Sequence, residues 1–86
     1  MKLIIVIIRD TDETVVITRL VNEKYRVTRM ASTGGFLRRG RVTLLIGVEA
    51  EQVEAVIELL RATCSPIEGE HRATLFVVDT SHFEQI

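Results

Sequence analysis

The 86-residue chain has no tryptophan, one tyrosine, three phenylalanines, one proline and one cysteine. A lone Cys64 excludes a disulfide framework and a cysteine-based metal site. It fits a reducing, cytoplasmic setting. The continuous apolar stretch Leu3–Ile8 is too short to span a bilayer, so no membrane insertion is expected. The same stretch lacks the length and small-residue cleavage site of a signal peptide. A formal net charge of −1 argues against a general nucleic-acid partner or a polybasic anchor. No internal repeat, low-complexity run or linker-like stretch divides the chain, and the length allows one core, so one domain over 1–86 is expected.

What is present is a chain 47% hydrophobic, enough to fold. Its charge is unevenly spread. Lys24, Arg26, Arg29, Arg38, Arg39 and Arg41 fall between Lys24 and Val48 with no acid among them, which leaves five cations beside all twelve acids elsewhere. That window suits a compact anionic partner.

Periodicity orders the elements. Leu3-Ile4-Ile5-Val6-Ile7-Ile8 is mostly β-branched and reads as a strand buried on both faces. Asp10 and Glu13 have capping-box spacing, and Val16, Ile17, Leu20 and Val21 then mark a helix from about Thr11 to Glu23. Tyr25–Met30 alternates, with Tyr25, Val27 and Arg29 on one side and Arg26, Thr28 and Met30 on the other. A loop runs from Ser32-Thr33-Gly34-Gly35 to Gly40. Val42–Val48 is a third strand. Val53, Val56, Ile57 and Leu60 give a helical stripe from about Ala50 to Thr63. Ala73–Val78 is a fourth strand, and the tail Asp79–Ile86 is unassigned.

The order β-α-β-β-α-β is the split arrangement of the ferredoxin-like fold, an α+β antiparallel sheet with two helices on one face. Two helices cover only one face, yet strands one, three and four are apolar on both. Burial of the second face against copies of the chain predicts a homo-oligomer; scattered apolar surface residues are the plainer alternative.

Catalytic constellations are poor, so no enzyme activity is expected. His71 and His82 have no metal-ligand spacing around them. Cys64 at a helix end reads as a small packed filler. Ser32, Thr33 and Ser81 have no His and Asp that spacing would place beside them. Glu51, Glu54 and Glu58 read as a solvated helix face. No cofactor or metal is implied.

The loop Ser32–Arg41 is richer. It has neither the Walker pattern nor a GxGxxG fingerprint. It does have a Gly-Gly pair able to present backbone N–H groups to an anion, hydroxyls at Ser32 and Thr33, the aromatic Phe36, and Arg38, Arg39 and Arg41 for bidentate phosphate contacts. A tight strand connection with solubilising arginines accounts for the same residue types. Phe36-Leu37, apolar in a charged loop, needs something to pack on: a base or a neighbouring subunit.

Over Tyr25-Arg26-Val27-Thr28, Ser32-Thr33-Gly34-Gly35-Phe36-Leu37-Arg38-Arg39-Gly40 and Leu45-Ile46-Gly47-Val48 the chain resembles the PII-like cyclic-di-AMP receptors, relatives of the nitrogen-regulatory PII signalling proteins. The opening Met1-Lys2-Leu3-Ile4-Ile5 and the last strand Ala73-Thr74-Leu75-Phe76-Val77-Val78 match in character, so about four fifths of the chain is covered. The resemblance implies a PII-like trimer with its sheets facing inward and a nucleotide site in each cleft between subunits. It implies ligand contacts from Arg26, Thr28, Gly35, Phe36, Leu37, Arg41 and Gly47. The implied ligand is cyclic di-AMP or another adenine nucleotide, and the implied partners are two further copies and an unknown downstream protein. A ligand-free trimer acting as a protein-interaction module is the second reading. Arg41 stands where family members usually carry Asn, which exchanges a donor–acceptor amide for a cation. The connection 65–72 is shorter than the family's, which implies a more open site.

Overall fold

The computed structural model describes residues 1–30 and 40–86. Strand β1 (Lys2–Arg9) is followed by a 3₁₀ turn (Asp10–Asp12) and helix α1 (Glu13–Asn22). Strands β2 (Arg26–Met30) and β3 (Arg41–Val48) come next. A second 3₁₀ turn (Ala50–Gln52) leads into helix α2 (Val53–Thr63), and strand β4 (Ala73–Asp79) closes the series. The sheet is antiparallel in the order β2-β3-β1-β4, so the two central strands are β3 and β1.

Pleating sorts the side chains. Ile4, Val6 and Ile8 of β1 and Val42, Leu44, Ile46 and Val48 of β3 point to the helices and are buried. They pack with Val16 and Leu20 of α1 and with Val56, Leu59 and Leu60 of α2 into one core cluster, with Tyr25, Val27 and Leu75 against it. Tyr25, just before β2, and Val27 within it therefore take the core side together, as their alternation predicts.

The opposite face carries no helix. The register places Thr28, Leu45, Ile5 and Phe76 in one row across four strands, and Arg26, Gly47, Leu3 and Val78 in the next. Leu3, Ile5, Ile7 and Leu45 are only half-buried there. Phe76 is 55% exposed and Val78 43% exposed. In a single chain β1 is thus buried on one face only, β4 has no fully buried residue, and the second apolar face lies open.

The α1 entry differs from its capping-box spacing. Neither Asp10 nor Asp12 caps the helix with its side chain. Glu13 is instead ion-paired with Arg29 of β2. Asp12 is buried; its carboxylate accepts the Ser65 N–H at 3.3 Å and lies 3.4 Å from the Arg9 guanidinium. Arg9 also donates to the Ser65 carbonyl at 2.5 Å. These bonds tie the end of β1 to the chain leaving α2. Cys64, packed beside them, is buried, and its thiol pKa is raised by that burial first and by the Asp12 charge second. A reciprocal cap does form at the second helix, between Glu49 and Gln52.

The exit from α1 is a Schellman turn: the Tyr25 N–H donates to Leu20 O and the Lys24 N–H to Val21 O. Lys24 takes the left-handed conformation there, φ 70°, a position glycine usually holds.

Candidate functional site

Three of the expected ligand residues converge at one end of the open face. Arg26 pairs across β2–β3 with Gly47, and Thr28 with Leu45. All four line a cleft of about 500 Å³ whose walls also include Met1, Leu3, Thr80 and Phe83. That size falls in the range of small-molecule sites. Gly47 forms its floor. A Cβ there would meet only the Met1 methyl, at 3.9 Å, so the protein's own packing does not demand glycine. The absent side chain keeps the floor open between Arg26 and Leu3.

The cleft pairs an apolar lining with a cation. Leu3, Leu45 and Phe83 supply hydrocarbon, and Arg26 supplies a guanidinium suited to bidentate anion contacts. Lys2 also lines it but is held by Asp79. That hydrogen bond, then the ammonium charge, holds the Asp79 carboxyl below the usual carboxylate range. A ligand with a flat apolar part and a negative charge matches this combination.

The C-terminal tail completes the cleft, which the sequence did not reveal. The Thr80 N–H and hydroxyl both donate to Met1 O, at 3.2 and 2.9 Å. This fold-back carries Phe83 and Gln85 to the lining, and Gln85 Oε1 accepts a hydrogen bond from Arg26 at 2.5 Å. The tail has no periodicity to announce this role. Its position follows from antiparallel pairing, which ends β4 at Asp79 opposite Lys2 at the start of β1.

Arg41 is placed elsewhere. It pairs with Arg9 at the far end of β3, six positions from Gly47, or roughly 20 Å at about 3.3 Å per residue. Its guanidinium lies 3.9 Å from the Glu70 carboxylate in the connection before β4. Within one chain Arg41 does not join Arg26, Thr28 and Gly47. Gly35, Phe36 and Leu37 lie outside the described residues, as do Ser32, Thr33, Gly34, Arg38 and Arg39.

Among the described residues no group of three or more His, Cys, Asp or Glu side chains is arranged to hold a metal ion. No helix among them is long and apolar enough to cross a membrane. His71 and His82 are exposed, and His82 lies 3.7 Å from Glu84. Glu51, Glu54 and Glu58 are exposed on the second helical segment, where Glu58 pairs with Arg61.

Fold and cleft together are those of a small α+β domain with a cleft on the open face of its sheet. The chain belongs to the cyclic-di-AMP receptor family, whose model matches residues 1–70. This is a binding and signalling family, not an enzymatic one. The chain is also similar to a functionally unknown protein from Pediococcus pentosaceus ATCC 25745, known from a crystal structure. The two superimpose with a TM-score of 0.80 at 30% identity, over 99% of this chain and 96% of that one.

Proposed function

We propose that the protein is a trimeric, non-enzymatic sensor that binds cyclic di-AMP, or another adenine nucleotide, at clefts between subunits. The observation that carries this reading is the convergence of Arg26, Thr28 and Gly47 on one cleft of an uncovered apolar face. Family membership supplies the ligand class. Arg26 takes a phosphate and Thr28 offers a hydroxyl beside it. Gly35, Phe36 and Leu37 are the further ligand contacts, with one adenine against Phe36, a stacking contact worth about 1–3 kcal/mol in nucleic-acid sites. Arg41, distant within the chain, reaches a cleft only as a neighbour's contribution. The trimer buries Leu3, Ile5, Leu45, Phe76 and Val78. The ligand-bound state is passed to a downstream protein. The single domain of 1–86 works in the cytoplasm, without nucleic acid or membrane.

One feature favours the alternative of a ligand-free interaction module: Gln85 already holds Arg26, and Phe83 takes up part of the cleft. A thermal-shift series with cyclic di-AMP, cyclic di-GMP, ATP, ADP and AMP separates the two. A ligand at 100 times its Kd stabilises by about 2.7 kcal/mol. Stabilisation by an adenine nucleotide is the expected result, and no shift with any of the five up to a millimolar would sink the sensor reading.

A further inference from the structure

At the end of the sheet away from the Arg26 cleft, Arg41 of β3 pairs with Arg9 of β1. The two guanidinium groups are held very differently. Arg9 has the Asp12 carboxylate at 3.4 Å and donates to the Ser65 carbonyl at 2.5 Å. Arg41 makes no hydrogen bond to another described residue, and the carboxylate nearest to it among them is Glu70, at 3.9 Å. That distance is beyond hydrogen-bond reach, so the pair is held by charge alone. The Arg41 side chain is only 15% exposed, while that of Glu70 is 52% exposed. Little water screens so covered a cation, and Glu70 is the group that offsets it.

Glu70 is tethered beside Arg41. The Glu70 N–H donates to Ile67 O at 3.3 Å, closing a turn around Gly69 at φ 78°. Both flanks of the turn are tied down as well. The Ser65 N–H donates to Asp12 at 3.3 Å, and the Arg72 guanidinium to Arg61 O at 2.9 Å. A carboxylate carried on such a turn faces its cation at a high effective concentration.

The consequence rests on the receptor reading above, in which Arg41 enters a neighbour's cleft. Glu70 arrives there with it. A phosphodiester brings one negative charge per phosphate, and a triphosphate chain brings several. A bidentate guanidinium–phosphate contact is shorter and stronger than the 3.9 Å pair, so a phosphodiester can share Arg41 with Glu70. Repulsion from the carboxylate grows with the charge of the ligand and falls hardest on the triphosphate. A repulsive group of this kind confers selectivity by penalising the competitor.

We propose that Glu70 is a specificity-determining residue: by offsetting Arg41 it disfavours nucleotides with a polyphosphate chain and leaves the cleft selective for singly charged phosphodiesters. It acts through Arg41 and not by touching the ligand.

The test is titration calorimetry of cyclic di-AMP and of ATP into the full chain and into Glu70→Gln, Arg41→Gln and the double variant. Glu70→Gln keeps the length of the side chain and removes its charge. It should tighten ATP about fivefold, the upper worth of a partly exposed pair, and cyclic di-AMP much less. The gain should vanish in the Arg41→Gln background, and it should collapse in about 1 M salt, where charges are screened within about 3 Å. A loosened turn would show neither dependence. Glu70→Asp should keep the discrimination of the unaltered chain. Equal gains for the two ligands would overturn the proposal. So would no gain for ATP, or a gain that persists without Arg41. Cyclic di-AMP binding that is unchanged beside an unchanged ATP affinity sinks this inference alone. Absence of binding by every nucleotide to both the unaltered chain and Glu70→Gln sinks the receptor reading and this inference with it.

Discussion

Leu44 and Leu45 are neighbours in sequence and belong to opposite halves of the molecule. Leu44 points to the helices and is fully buried. Leu45 points to the open face, half-buried, and lines the Arg26 cleft. The same contrast repeats across the sheet, with Ile4, Val6 and Ile8 fully buried and Leu3, Ile5 and Ile7 only partly so. One face holds the chain together. The other carries Leu3, Ile5, Leu45, Phe76 and Val78 with no helix over them, and it also carries Arg26, Thr28 and Gly47 of the candidate ligand residues. Apolar strand residues therefore mean two different things in this chain, and pleat parity tells them apart.

The largest effect should come from the covered face. Leu44→Ala removes packing from a site that is fully buried, and such truncations cost about 2–5 kcal/mol. Chemical denaturation should show this loss directly. A loss under 1 kcal/mol would mean that the two faces differ less than their burial implies.

A charge on the open face should act on assembly first. Phe76→Glu puts a carboxylate at the centre of the proposed subunit contact, in the row with Ile5. Light scattering after size exclusion should read a trimer for the unaltered chain and a monomer for this variant at micromolar concentration. A monomeric mass for the unaltered chain would remove the assembly reading.

The smallest effect belongs to the rim pair Lys2–Asp79. The Asp79 pKa is lowered from its ordinary value of 3.8, chiefly by the Lys2 hydrogen bond. A carboxyl with a depressed folded-state pKa adds stability above its unfolded value, and that stability fades as pH falls through the folded value. Lys2→Ala should therefore lower the melting temperature slightly at neutral pH. The gap to the unaltered protein should close as the pH drops below about 3.8. A gap that widens in acid would contradict the pairing.

Most of the fold was legible because the period changes cleanly between strands and helices. The two sides of Tyr25–Met30 were also legible, with Tyr25 and Val27 against the core and Arg26 and Thr28 facing out. Three features were not, each for a tertiary reason. Glu13 has the right spacing for a cap, but Arg29 from another element captures it. Lys24 ends α1 in a conformation that sequence patterns assign to glycine. The tail reaches the cleft only because β4 ends beside the start of β1. Arg41 stands at the other end of β3 from Gly47, and only the family resemblance, not spacing, joined the two in one ligand set.

The central claim is that the Arg26 cleft receives the nucleotide. Titration calorimetry of cyclic di-AMP into the unaltered chain and into Arg26→Ala tests it most directly. The account predicts saturable binding at one nucleotide per chain, lost in the variant while the trimer mass is kept. Binding that survives Arg26→Ala undiminished would contradict it, as would no heat of binding up to a millimolar.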